Sequence, residues 1–208
     1  MKEYYVPWSA GETEYVEKRS RFLGYVRPVA SEEEAKEFIA EIKKRHYDAR
    51  HNCWCYAIRD GAVRYSDDGE PQGTAGIPML EVFKNEGVEN AVCVVTRYFG
   101  GVLLGAGGLL RAYTRAAKDA LYDGGIAVVR RWVRMDVPCA YNLAERIKRE
   151  TEAMGGIVAD VEYAAGVTVK ALLPEELSHS YEIKITDITL GASTCTVTGQ
   201  ELTPVRVK

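Results

Sequence analysis

The spacing of apolar and polar residues in the first quarter of the chain predicts two strands and a helix. Residues 15–16 and 21–29 have the pattern of strands. Ser31 and Glu34 then match a capping box, with Glu34 returning to the Ser31 amide, which predicts that a helix begins there. Apolar residues recur at helical spacing and would form its buried stripe: Ala35, Phe38, Ile39 and Ile42.

The middle of the chain predicts a hairpin, a long loop and a buried strand. Residues 52–59 and 63–65 would form strands on either side of an Asp60-Gly61 turn. Residues 66–78 are rich in turn-forming residues and predict a loop that leads into a helix, with Pro78 in its first turn. The apolar run 91–97 predicts a strand that is buried on both faces.

A glycine-rich turn follows that strand, and a helix is predicted from about Leu109 to Tyr122. Its predicted core stripe contains Leu109, Tyr113, Ala116, Ala117 and Ala120.

From residue 132 onward the predicted elements have the order βαββαβ, which is ferredoxin-like. Strands are expected at 132–137, 157–163, 167–173 and 194–197, with a hairpin around Gly166. Asn142 would cap the first helix of this part, and Pro174 would open the second. The sequence therefore predicts an α+β protein with an N-terminal domain at 1–130 and a C-terminal domain at 131–208.

Composition and charge narrow the classes of function. The 208 residues include 27 Lys and Arg against 30 Asp and Glu, a formal charge of -3, so the chain is not a strongly basic nucleic-acid domain. No apolar window approaches the length of a membrane helix. The first residues show no apolar signal segment, and the five cysteines indicate no disulfide framework, so a cytoplasmic protein is expected.

The glycine-rich turn is the first candidate binding segment, because backbone amides between a strand and a helix can hold an anion. It lacks the Gly-Lys-Ser/Thr ending of a phosphate loop and the glycine spacing of a dinucleotide site, so ATP and NAD are disfavoured and no cofactor is predicted. Alternatively, the glycines only permit tight turns and close packing. The candidate residues in the turn are Arg97, Tyr98, Gly100, Gly101, Gly105, Gly107 and Gly108. Arg111 and Arg115 are further candidates, and together with Lys118 they form one basic face of the next helix.

The acidic loop is the second candidate. Asp67, Asp68 and Glu70 are ligands of the kind Mg²⁺ prefers, although Asp and Gly are also ordinary turn formers. Gly69, Gly73 and Thr74 complete the candidate loop residues.

A zinc site is conceivable because two histidines and two cysteines lie close together in the sequence. The strand that carries Cys53 and Cys55 is apolar on both faces, however, which favours buried thiols, and no metal is predicted. The four residues are His46, His51, Cys53 and Cys55.

Three segments together resemble the YigZ/IMPACT family: His51-Asn52-Cys53, the loop 66–76, and 97–113 with its glycines. The similar region covers about Lys18 to Leu121, and the ferredoxin-like order after it resembles the second domain of prokaryotic members. The resemblance implies an N-terminal two-layer α/β domain of the ribosomal-protein and elongation-factor type. It further implies a C-terminal domain similar to the last domain of elongation factor G, and no defined catalytic residues. Eukaryotic IMPACT is a regulator of translation.

The leading hypothesis is a non-enzymatic, translation-associated protein that contacts a ribosome, RNA or a translation factor through Arg97, Arg111 and Arg115. No membrane or DNA partner is expected. One alternative is a Mg²⁺-dependent hydrolase of a phosphorylated small molecule, with Asp67, Asp68 and Glu70 as metal ligands. Another is a regulator that binds a protein partner without RNA.

Overall fold

A computed structural model describes residues 3–164 and 166–208 and confirms the mixed α and β fold class. Within these ranges, no helix is long and apolar enough to cross a membrane. The chain forms two compact units, one built from Tyr4–Val129 with Pro204–Lys208 and the other mainly from Arg130–Thr203.

The first unit contains a five-stranded antiparallel sheet with strand order β2-β3-β6-β4-β5. A further short strand, β1, pairs with residues 126–129. The elements are β1 Tyr4–Pro7, β2 Gly11–Glu17, β3 Ser20–Pro28, α1 Glu32–Arg45, β4 His51–Ala57, β5 Val63–Ser66, α2 Gly76–Glu86, β6 Ala91–Tyr98 and α3 Ala106–Gly124.

Helices cover both faces of this sheet, because successive side chains of a strand point to opposite sides. On β6, Val92 and Val94 pack in the cluster that contains α1, whereas Cys93 and Val95 pack with α2 and α3. The predicted burial of β6 on both faces is confirmed, since only its last residue, Tyr98, is partly exposed. Helix α1 thus adds a layer to the two-layer arrangement that the family resemblance implies.

The start of α1 and the end of α2 follow local sequence signals. Ser31 Oγ accepts a hydrogen bond from the Glu34 amide at 3.2 Å, as expected of an N-cap. The Glu34 carboxylate accepts from the Ala30 amide at 2.7 Å, one residue earlier than the capping box predicts. Gly87 adopts a left-handed conformation at the C-terminus of α2.

Helix α3 begins three residues earlier than predicted, at Ala106, so that Gly107 and Gly108 lie inside its first turn. Its predicted core stripe is buried throughout.

The second unit has the ferredoxin-like strand order β8-β9-β7-β10, as predicted. One continuous strand, β7, runs through residue 130, and the domain boundary near Arg130 stays a prediction. Residue 165, next to the predicted hairpin turn at Gly166, lies outside the described residues. The elements are β7 Ile126–Cys139, α4 Ala144–Ala153, β8 Ile157–Tyr163, β9 Val167–Pro174, α5 Ser178–Thr189 and β10 Thr196–Arg206.

Two predicted helix starts in the second unit are wrong. Asn142 lies inside a 3₁₀ turn, Tyr141–Leu143, and forms no cap, because α4 begins only at Ala144. Pro174 ends β9 and is followed by a second 3₁₀ turn before α5 begins at Ser178. The last strand begins at Thr196 and is much longer than the four residues predicted.

His46, at the C-terminal end of α1, forms hydrogen bonds with two tyrosines of the sheet. The Tyr98 hydroxyl donates to Asp48 at 3.0 Å, so it accepts from His46 Nδ1 at 2.9 Å. His46 Nε2 is then left to accept from the Tyr25 hydroxyl at 2.7 Å. Burial, and next the charge of Arg45, lowers the pKa of His46, so the folded protein favours the neutral ring.

We expect the free energy of unfolding to decrease as the pH falls through 6.5, the ordinary pKa of histidine. The unfolded chain then binds a proton that the partly buried ring resists, which favours unfolding. Urea unfolding at a series of pH values measures the effect. A His46→Gln variant should show a smaller pH dependence, whereas His179→Gln, at an exposed position, should retain it. An unchanged slope in His46→Gln would contradict this account.

Candidate functional site

The glycine-rich turn lies against the β2–β3 turn. A Cβ on Gly100 would lie 2.0 Å from the carbonyl carbon of Arg19, so only glycine fits at this close approach. The Gly100 amide also donates to Ser20 Oγ at 3.2 Å. The turn that leads into α3 is therefore held beside the exposed residues Lys18 and Arg19.

Asp67 organises the acidic loop. Its carboxylate accepts from the amides of Gly73, Ala75 and Gly76 at 2.8, 3.0 and 2.8 Å. These bonds satisfy free amides at the start of α2, where Ala75 offers no capping side chain. Asp67 is thus engaged as a helix cap.

Asp68 connects the same loop to the sheet and to α1. Its carboxylate accepts from the Asn52 amide at 2.8 Å and from Lys43 Nζ at 2.7 Å. Its carbonyl oxygen lies 2.9 Å from His51 Nδ1, and because a carbonyl only accepts, Nδ1 carries the proton. This contact leaves His51 Nε2 as the ring nitrogen available for a further interaction.

Glu70 and Arg97 form a buried ion pair. Glu70 is 8% exposed and Arg97 5% exposed, and Arg97 Nη1 lies 2.6 Å from Glu70 Oε1. The Tyr113 hydroxyl donates to the same carboxylate oxygen at 2.8 Å, and His51 Nε2 lies 3.9 Å from it. Burial is the main cause that raises the pKa of Tyr113, so this hydroxyl remains a proton donor.

The three loop carboxylates point to different partners, so the structure does not assemble the magnesium site of the hydrolase alternative. Across 3–164 and 166–208, no three His, Cys, Asp or Glu side chains are grouped to hold a metal ion. The zinc alternative fails for the same reason. His46 bonds to tyrosines on the α1 face, whereas the Cys53 thiol donates to the Asp67 carbonyl on the other face, and burial raises the pKa of that thiol.

A cavity of about 320 Å³ opens beside the buried ion pair. One part of its wall is polar, and the rest is apolar and comes mainly from the glycine-rich turn and the start of α3. The lining residues are Arg50, His51, Gly69, Glu70, Pro71, Arg97, Phe99, Leu103, Leu104, Gly105, Ala106 and Leu109.

A second concavity, of about 260 Å³, lies along α3 and shares Leu104 with the first. It includes Lys18, Arg111 and Arg115, whose side chains are exposed. Arg115 pairs with Asp119 on the same helix, which reduces its availability for an anion.

The structure separates the predicted binding residues into three groups. Arg111 and Arg115 lie on the exposed basic surface, as the helical spacing indicates. Arg97 is buried against Glu70 and does not reach the exposed surface, because β6 is the central strand of the sheet. Tyr98 lies on the α1 face, bonded to His46 and Asp48, and is not part of either concavity.

Sequence reasoning considered His51 as a zinc ligand, which it rejected, and assigned no binding role to Arg50, Phe99 or Tyr113. His51 lies within one of the family-like segments, so a signal for it was present. Tyr113 lies in the buried apolar stripe of α3, so its residue pattern indicates only a core position. Its hydroxyl reaches Glu70 only because the tertiary fold brings the two together.

Replacement of Arg97 by Ala should destabilise the protein strongly, because it leaves Glu70 buried without its cation. We expect a loss of about 3 kcal/mol or more in the free energy of unfolding, measured by urea denaturation. Arg111→Ala removes an exposed arginine from the same unit and should change stability by less than about 0.5 kcal/mol. Equal stabilities of the two variants would contradict the structural role of Arg97.

Comparisons with known proteins agree with this architecture. Residues 18–121 match the Impact N-terminal domain, and residues 137–192 match a domain of unknown function, DUF1949. The chain is 38% identical over 196 residues to IMPACT family member YvyE of Bacillus subtilis, covering 93% of this chain and 90% of that protein. It is 33% identical over 179 residues to IMPACT family member YigZ of Escherichia coli, covering 84% and 88%.

More distant similarity extends to a rat protein. Protein IMPACT of Rattus norvegicus is 31% identical over 94 residues, which cover 43% of this chain and 30% of that protein. A solved structure described as a hypothetical protein superposes with a TM-score of 0.59 at 30% identity, over 96% of this chain and 98% of the other. With a matching domain over half of its length and bacterial relatives aligned over most of it, the chain belongs to the IMPACT family.

Proposed function

We propose that the protein is a non-catalytic, translation-associated factor of the cytoplasm that binds ribosomal RNA through the surface around its glycine-rich turn. Membership of the IMPACT family supports a role in translation, since the resemblance implies translational regulation for eukaryotic members. The net charge of -3 means that any RNA contact has to come from a local basic patch.

The observation that carries the proposal is a set of exposed cations that border the turn and have no acidic partner. Across the described ranges these four side chains form no salt bridge, whereas most exposed cations elsewhere in the same unit are paired. We name them the turn cations: Lys18, Arg19, Arg50 and Arg111. Unpaired cations around one turn provide the contacts with phosphate that give RNA-binding proteins most of their affinity.

Exposed apolar side chains lie between these cations. Phe99 is 41% exposed and Leu103 is 83% exposed, both in the glycine-rich turn. Aromatic and apolar groups beside a positive surface suit unpaired bases of RNA, which stack on them without sequence preference. The combination favours single-stranded or looped RNA over a uniform duplex.

The proposal predicts salt-sensitive cosedimentation with purified ribosomes. A variant carrying Arg19→Asn and Arg111→Gln removes two turn cations, and asparagine suits the left-handed backbone of residue 19, where φ is 66°. We expect weaker binding at every salt concentration and a salt dependence that is less steep by roughly one unit of slope per lost phosphate contact.

The matched control is Arg146→Gln with Arg149→Gln, which removes two exposed arginines from α4 in the second unit. It should sediment as the unmodified protein does. Binding that is insensitive to salt, or reduced equally by both double variants, would contradict the assignment of this surface. Association that survives nuclease treatment and occurs without RNA would instead indicate a protein partner.

A further inference from the structure

Both helices of the second unit pack against the same face of its sheet. The apolar cluster that they share with the sheet contains alternate residues of β7 and β9, among them Val133, Met135, Val169 and Ala171. Because successive side chains of a strand point to opposite sides, the residues between these point away from the helices. We name this side of residues 134–138, 157–162 and 168–172 the uncovered face, and its residues are exposed or half-buried.

One lysine at the centre of the uncovered face is surrounded by carboxylates. In the strand register, Lys170 of β9 lies opposite Asp136 of β7 on one side and opposite Asp160 of β8 on the other. Lys170 forms its ion pair with neither of these residues but with Glu162. Three carboxylates therefore lie around a single cation.

The remaining charges of this face do not correct the imbalance. Arg134 pairs with Glu201 of the neighbouring strand β10 at 3.0 Å, so its charge is already neutralised. Four carboxylates thus accompany two cations, which is an excess of two negative charges.

The excess charge belongs to Asp136 and Asp160. Across 3–164 and 166–208 neither carboxylate forms a salt bridge, and the Asp160 carboxylate accepts only from the amide of Val161, at 2.8 Å. Asp136 accepts no hydrogen bond in these ranges, although it lies half-buried on the central strand β7. These two groups are free to pair with cations from outside the chain.

Apolar side chains lie beside the carboxylates. Ile157 and Leu172 are opposite each other on β8 and β9, and both are half-buried. The long aliphatic parts of lysine and arginine pack on such groups while their charged ends remain near a carboxylate.

The same features disfavour RNA on this face. Ferredoxin-like sheets that bind RNA stack bases on aromatic side chains of the open sheet surface. The side chains of the uncovered face include no aromatic ring, and its excess of carboxylates repels phosphate.

We propose that the uncovered face binds a basic segment of a partner protein. Lysine or arginine side chains of the segment would pair with Asp136 and Asp160, and their aliphatic parts would pack on Ile157 and Leu172. Complementary charge determines this class of partner. The surface shares no residue with the turn cations, so the proposal does not depend on RNA binding by the first unit.

Titration of the full chain into fluorescently labelled deca-lysine at low salt, followed by anisotropy, tests the proposal. We expect saturable binding that weakens as salt is added. A variant carrying Asp136→Asn and Asp160→Asn keeps the shape of both side chains and should retain its thermal stability. Its binding should be roughly fivefold weaker or more, because two ion pairs are lost.

The matched control is Glu33→Gln with Glu37→Gln, which removes two exposed carboxylates from α1 and changes the net charge equally. It should bind deca-lysine as the unmodified protein does. Amide chemical shifts recorded during the same titration should change on β7, β8 and β9 more than on α1.

Absence of saturable binding, equal weakening in the two double variants, or shift changes confined to other elements would each overturn the proposal. So would decaadenylate that perturbs the same amides of β7, β8 and β9, because RNA would then be the ligand. The Arg19→Asn, Arg111→Gln variant should bind deca-lysine at least as well as the unmodified protein, so failure of this surface and failure of the RNA surface are separate results.

Discussion

The buried ion pair between Glu70 and Arg97 is the interaction on which the arrangement of the acidic loop, β6 and α3 depends. It joins the acidic loop to the central strand β6, and Tyr113 extends it to α3. An uncompensated charge in the interior costs several kcal/mol, so these three elements are stable only when they meet in register. The pair therefore fixes the loop, the strand and the helix that surround the cavity.

The other two carboxylates of the loop fix its position relative to further helices and strands. Asp67 holds the start of α2 through backbone amides, and Asp68 holds β4 and α1. Each acidic group that resembles a metal ligand in the sequence is thus occupied by a hydrogen-bond donor of the protein. A loop of this length stays ordered because charge-assisted hydrogen bonds offset the entropy cost of fixing its backbone.

The acidic loop, β6 and α3 together support two surfaces of different chemistry, and these surfaces meet at Leu104. One is the open cavity beside the ion pair, and the other is an exposed surface with unpaired cations. Gly100 allows both, because its close approach to Arg19 brings the turn, the β2–β3 hairpin and the start of α3 together.

The sequence by itself determined most of the elements, since capping, apolar periodicity and the positions of glycines are local signals. It did not determine every boundary, because the predicted starts of α4 and α5 are wrong. The N-cap at Ser31, the apolar stripe of α3 and the ferredoxin-like order of the second unit were all predictable in this way. Only the tertiary structure decided the partners of the charged residues. From its residue type alone, Arg97 suggests a phosphate contact and Glu70 suggests a metal ligand. The two side chains instead neutralise each other, because β6 and the loop meet in the interior. Long-range electrostatic pairing depends on distances between segments remote in the chain, and local patterns carry no information about those distances.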